Sequence, residues 1–188
     1  MDHSYDKSAM ATMTKPPVSP AASPARLQDG IPLLAVIMLT ALAASAKQWA
    51  YPGPWEMLGW LHDFVGLLLL LMAMFKVFDL DNFVSNFTRF DFLGRHLRLY
   101  AYLYPALEVV LGIGLLSHYQ PEIMYIATAT LLSFSALGIC DALIRGLDIG
   151  CPHLGRLLGV RLSLFTLLEE VAIALLALMM LVIYLPSV

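Results

Sequence analysis

Three carboxylates interrupt stretches that are otherwise too apolar to hold them. Glu108 stands alone in the run from Leu99 to His118, and Glu169 and Glu170 stand together in the run from Ser163 to Tyr184. An ionisable group at the centre of a bilayer costs about 3 kcal/mol on insertion scales, so an acid placed there is a candidate for function. At 1.5 Å per residue, the pair is roughly 10 Å in from one end of its segment, while Glu108 is near the middle of its own. These depths predict an interior polar cluster in which Glu169 or Glu170 meets Glu108 and one proton is shared between them. Glu169 and Glu170 themselves diverge by about 100° around a helix, so both are not expected to face the same partner. His62 and Asp63 lie a similar distance in from the opposite face. Any one such acid is equally well read as a neutral packing group; several at similar depth favour a polar site.

A second constellation is Gly150-Cys151-Pro152-His153, between the last two apolar runs. A thiolate and an imidazole two residues apart suit a soft ion such as Cu(I) or Zn²⁺, or a redox thiol activated by its neighbour. As a metal site it is incomplete, since a closed zinc site takes four ligands. Cys140 is the one other cysteine. It can supply a further ligand or a transient bridge, although a small core residue is the plainer reading. Two cysteines make no disulfide framework.

The elements that must position these groups are membrane spans. Sixty per cent of the 188 residues are hydrophobic, 13% are charged and the mean hydropathy is +0.76. Soluble domains carry about 25% charged residues. Five apolar segments follow one another: 31–50, 57–77, 99–118, 123–144 and 163–184. Each approaches the ~20 residues that cross the hydrocarbon as a helix, and none alternates with the period of a β-barrel strand. Pro105 should bend the third span, and Gly112 and Gly114 should let a neighbouring helix approach closely. Trp49, Tyr51, Trp55 and Trp60 read as interfacial anchors, as do Tyr100, Tyr102 and Tyr104, of which Tyr104 can reach a carboxylate. The predicted fold is an all-α membrane protein: a four-helix transmembrane bundle over 57–186 plus one additional N-terminal transmembrane helix at 31–50. Residues 1–30, rich in Ser, Pro and Ala, read as a disordered cytoplasmic tail rather than a signal peptide or a metal-catching arm.

Basic residues set the expected orientation. Lys7, Lys15 and Arg26 precede the first span; Lys76, Arg89, Arg95 and Arg98 mark the second connection, and Arg145, Arg156 and Arg161 the fourth. Only Lys47, at the far end of the first span where a long side chain can snorkel, falls on the other side. The N-terminus is therefore expected in the cytoplasm and the C-terminus outside. The connection from Asp79 to Arg98 reads as a polar, basic, solvated loop. A net charge of −3 with no basic face excludes nucleic acid as a partner. No phosphate loop, nucleophilic triad or zinc-protease motif is present.

Phe75-Lys76, Asp79-Leu80, Phe83, the run Tyr100-Ala101-Tyr102-Leu103-Tyr104-Pro105-Ala106-Leu107-Glu108, Leu111-Gly112, the loop Gly146 to Gly155 and Leu168-Glu169-Glu170 resemble bacterial membrane proteins of the MauE/DoxX-like redox-associated family. The likeness spans roughly residues 57–183. It implies a multi-pass protein of the bacterial inner membrane, acting in processing, export or maturation of the disulfide-rich small subunit of methylamine dehydrogenase. Relatives with the tyrosine-rich run look linked to heavy-metal handling, and their loop usually reads Cys-Ala-Cys-Leu-Gly. Here it reads Cys151-Pro152-His153-Leu154-Gly155, with His153 in place of the second cysteine. That departure weakens two-thiol exchange within the loop and strengthens metal coordination by Cys151 and His153.

Three functions follow from these readings. The first is an accessory membrane protein of redox or cofactor maturation, without turnover of its own, using Cys151, Glu108, Glu169 and Glu170 and serving a client or redox partner. The second is a copper- or zinc-handling protein using Cys151, His153 and, weakly, Cys140. The third is a structural or assembly subunit whose buried acids hold helices together.

Overall fold

A computed structural model describes residues 31–50, 53–146 and 164–185. The described residues are helical, with no strand: α1 (Ile31–Ala50), α2 (Met57–Phe78), α3 (Leu80–Phe90), α4 (Arg98–Leu116), α5 (Pro121–Ile144) and α6 (Leu164–Tyr184). Five of them, all but α3, are long and apolar enough to cross a membrane. The chain is thus an all-α membrane protein with five candidate spans, at bounds within two residues of those read from hydropathy. The expected disordered tail at 1–30 lies outside the described residues.

Successive spans run antiparallel. Gly66 of α2 sits against Gly112 of α4, Ser45 of α1 against Trp60 of α2, and Tyr125 of α5 against Tyr184 of α6. The broadest pairings are α2 with α4 and α5 with α6, and α1 packs chiefly on α2. The outward, exposed faces of the spans carry Leu34, Leu42, Val110, Ile126, Leu137 and Leu175. Between the helices, Leu61, Leu68, Leu69, Met72, Leu111, Leu115, Leu132, Ile173 and Met180 form one apolar core. With lipid outside as apolar as leucine, close packing rather than water exclusion must hold such helices together.

Two glycines supply that closeness. A Cβ on Gly66 would lie 2.9 Å from the carbonyl oxygen of Gly112, and one on Gly112 would lie 2.9 Å from the carbonyl oxygen of Gly66. The backbones therefore touch where the sequence offers no side chain. Gly112 matches expectation; its partner Gly66 was not singled out. α4 continues as helix through Pro105.

The connection from Asp79 to Arg98 is not the solvated loop that its charge suggested. Residues 80–90 form α3, which buries Phe83, Val84, Phe87 and Phe90 against Ala101, Tyr104, Ile139 and Ala142. Phe83, Phe87 and Phe90 recur at i, i+4 and i+7, one helical face, while Asp81, Ser85 and Arg89 face outward. A second backbone approach locks the end of this helix: a Cβ on Gly138 of α5 would meet the carbonyl oxygen of Phe90 at 3.1 Å. Asp91 then turns the chain, its Oδ1 accepting the Gly94 N–H at 2.6 Å.

A buried lysine and carboxylate centre as candidate functional site

Glu108, Glu169 and Glu170 are all buried and lie within electrostatic reach of one another, around Lys76. Lys76 is 1% exposed, and its Nζ donates to Oε1 of Glu108, itself 1% exposed. The basic-residue count places Lys76 among the boundary charges that orient the second connection. Instead it lies in the last turn of α2 and turns inward. The cause is the helical face it shares: His62, Val65, Leu69, Met72 and Lys76 are all buried, and His62 and Lys76 are about four turns apart. That periodicity was the available signal. A lysine at the end of a span is ordinarily read as snorkelling, which hid it.

Aromatic rings from two further elements enclose the ammonium. Its Nζ lies 4.9 Å from the centroid of Tyr104 of α4 and 5.8 Å from that of Phe83 of α3. A cation within about 6 Å of a ring face is attracted by the ring quadrupole, and more strongly when desolvated. The amphipathic α3 is thereby part of the site, since it brings Phe83 to the lysine.

Glu169 and Glu170 are both buried on α6, and both lie within electrostatic reach of Lys76 and Glu108. Oε1 of Glu170 accepts from Ser135 Oγ of α5 at 3.3 Å, and the buried Tyr104 hydroxyl has no hydrogen-bond partner among the described residues. The expected shared proton between Glu108 and an α6 carboxylate is replaced at Glu108 by the lysine. A full ammonium bond satisfies Oε1 better than a second acid can, while Oε2 of Glu108 has no hydrogen-bond partner among the described residues.

Five elements therefore converge on one polar centre. A lysine faces three carboxylates, so among these four groups at full ionisation acids exceed the base by two, in surroundings that disfavour net charge. This chemistry belongs to an interior site rather than a surface patch.

The other candidates fall differently. Cys151 and His153 lie outside the described residues, in the connection between α5 and α6. Cys140 is half-buried on α5, with no disulfide partner among the described residues. No group of three or more His, Cys, Asp or Glu able to hold a metal occurs among the described residues. At the opposite end, Lys47 is partly exposed and its ammonium donates to Asp63 of α2, whose side chain is buried. Trp60, expected as an interfacial anchor, stacks on Phe64 at 5.2 Å between centroids and donates Nε1–H to Ser45 at 3.1 Å. Trp49 and Trp55 remain exposed, as anchors require.

Comparison with known proteins gives one match. The family model described as Methylamine utilisation protein MauE matches residues 31–185. The match takes in α1, so the first span is part of the shared pattern rather than an addition outside it. No curated protein and no solved structure matches the chain.

Proposed function

Because this chain belongs to the MauE family of methylamine utilisation proteins, we propose that it is an accessory integral membrane protein that supports the maturation of an exported, disulfide-containing redox protein. The small subunit of methylamine dehydrogenase is the client class that the family points to. The single observation that carries the reading is the Lys76–Glu108 pair, buried at the α3 end with Glu169 and Glu170 beside it. A helix bundle needs no such centre to stand, because replacing a buried ion pair by apolar groups is often neutral or stabilising.

The reading joins that centre to Cys151. The connection that carries the cysteine leads into α6, and Glu169 and Glu170 lie in the first two turns of that helix. Thiol exchange requires a thiolate and returns a proton when a mixed disulfide resolves. Carboxylates in the helix that this connection leads into suit that need. In this reading Cys151, cytoplasmic by the basic-residue count, is the thiol that a cytoplasmic redox partner addresses, His153 lowers the cost of its ionisation, and the buried centre carries the effect across the bundle towards the exported client. The protein sits in the bacterial inner membrane with its C-terminus outside.

The test is a comparison of thiol states. Exported proteins from a strain lacking this chain are labelled with a thiol reagent, beside the same strain complemented by wild type or by Cys151→Ser. The expected result is one client, or a small set, that is reduced and degraded in the deletion strain and rescued by wild type alone. An unchanged exported thiol population would overturn the reading. Stoichiometric Cu(I) or Zn²⁺ on the purified chain, lost with Cys151→Ser and His153→Ala, would replace it with metal handling.

A further inference from the structure

The end of the bundle opposite Lys76 carries its own cluster. A cavity of about 270 Å³ opens there, lined by Lys47, Gln48, Glu56, Gly59, Asp63 and His118 among others. Behind it sits His62, 4% exposed, in the second turn of α2. Its ring meets that of His118 edge-on, with 4.3 Å between centroids. On its other side, Nε2 is 2.5 Å from the hydroxyl oxygen of Tyr125, a fully buried residue of α5 that in turn packs against Tyr184 of α6. Nδ1 of His62 is buried and has no hydrogen-bond partner among the described residues.

We propose that this cavity is a proton inlet, with His118 as the port and His62 as the buried acceptor. An unengaged ring nitrogen in a protein interior is costly unless it is used. His62 is held by its other nitrogen, and in the proposed tautomer Nε2 carries the hydrogen and donates to the Tyr125 oxygen, leaving a bare lone pair on Nδ1. His118 is exposed and lines the cavity, so it is the ring that solvent reaches. At rest the two rings share no hydrogen bond, so the transfer requires the exposed His118 ring to turn onto Nδ1 of His62; one N–H bond on His118 then breaks and one on Nδ1 forms, while the Nε2–H bond to Tyr125 stays intact. His118 returns to neutral, ready for the next proton, and His62 becomes an imidazolium.

The charges around that imidazolium are Asp63, adjacent on α2, and Lys47 of α1, which Asp63 already holds. Glu56 lies at the mouth of the cavity, and the phenols of Tyr125 and Tyr184 close the inner side. Loading His62 therefore places a second cation beside a carboxylate that now serves one. The contact between α1 and α2 at this end is the element that feels it.

The experiment uses the full chain, labelled with ¹⁵N-histidine, in lipid nanodiscs. Ring nitrogen shifts are followed through acid titration. In the wild type, His62 should show a bare Nδ1 that becomes protonated in rapid exchange with solvent. His118→Asn should slow that exchange by about tenfold, because the port is gone. Asn is the chosen replacement because His118 has φ 52, in the left-handed region that Asn tolerates. Tyr125→Phe should release Nε2 and mix the two tautomers of His62. A His62 that bears its hydrogen on Nδ1 in the wild type, or one whose exchange is indifferent to His118→Asn, overturns the proposal. Both variants report on imidazole signals, so a misfolded sample is recognised by collapse of the other histidine resonances; in that case the wild-type tautomer decides.

Discussion

Lys76 and Glu108, thirty-two positions apart in the chain, are hydrogen-bonded to each other inside the bundle with neither side chain reaching its surface. The pair ties the end of α2 to the middle of α4 and gathers Tyr104, Phe83, Glu169 and Glu170 around it. Everything proposed for function follows from asking why a membrane bundle keeps it.

The first prediction separates stability from use. Lys76→Met alone should cost about 3–5 kcal/mol, because it strands Glu108 among further carboxylates without its counter-charge. The double variant Lys76→Met/Glu108→Leu should recover most of that loss. Unfolding in detergent, followed by circular dichroism, measures both. A double variant no more stable than the worse single variant would show that the pair is structural.

The second concerns the close helix contact. Gly66→Ala and Gly112→Ala each press a methyl group onto a backbone carbonyl that cannot move without moving its helix. Each should cost about 1–3 kcal/mol by overpacking. Gly114→Ala meets the end of the Met124 side chain instead, which can turn away, and should cost less. The same unfolding measurement ranks the three, and an equal cost for all would contradict the contact.

Asp91 supplies a pH dependence whose sign can be worked out. Burial raises its carboxyl above the usual range, against smaller opposing contributions from the Gly94 and Leu93 N–H groups and Arg95. The folded state therefore holds this proton more tightly than the unfolded chain does. Its contribution is greatest at a pH below the unfolded value and declines as pH rises through the folded one. Asp91→Asn keeps an oxygen for the Gly94 N–H and removes the charge, so it should flatten that decline. An unaltered pH profile in the variant would place the dependence elsewhere.

Orientation gives a fourth prediction. Five spans put the termini on opposite sides, and the remaining basic residues still favour a cytoplasmic N-terminus even with Lys76 removed from the count. A reporter fused after Val188 should be active outside the cytoplasm, and one inserted in α3 should be cytoplasmic. Cytoplasmic activity at the C-terminus would overturn the proposed placement of Cys151.

Much of the fold was legible in the sequence because lipid imposes a length and a composition on each span. What was not legible depended on faces rather than on composition. α3 hid behind its charges, although Phe83, Phe87 and Phe90 repeat at helical spacing. Lys76 hid at a helix end, where lysine usually reaches water. In the site, Glu108, Glu169 and Glu170 were visible as single anomalies in apolar runs. Ser135 was not, since a serine in a span costs little and signals little. The Gly66–Gly112 contact required knowing which helices are neighbours, which no single segment reveals.

The most direct measurement of the central claim is the exported-protein thiol assay performed on the stable double variant. A deletion strain carrying Lys76→Met/Glu108→Leu, shown by immunoblot to accumulate to the wild-type level, is labelled beside one carrying wild type. The account predicts a client left reduced and degraded, as in the strain with no copy at all. Full oxidation and normal accumulation of the client in that strain would contradict it, and would leave the buried pair without a part in maturation.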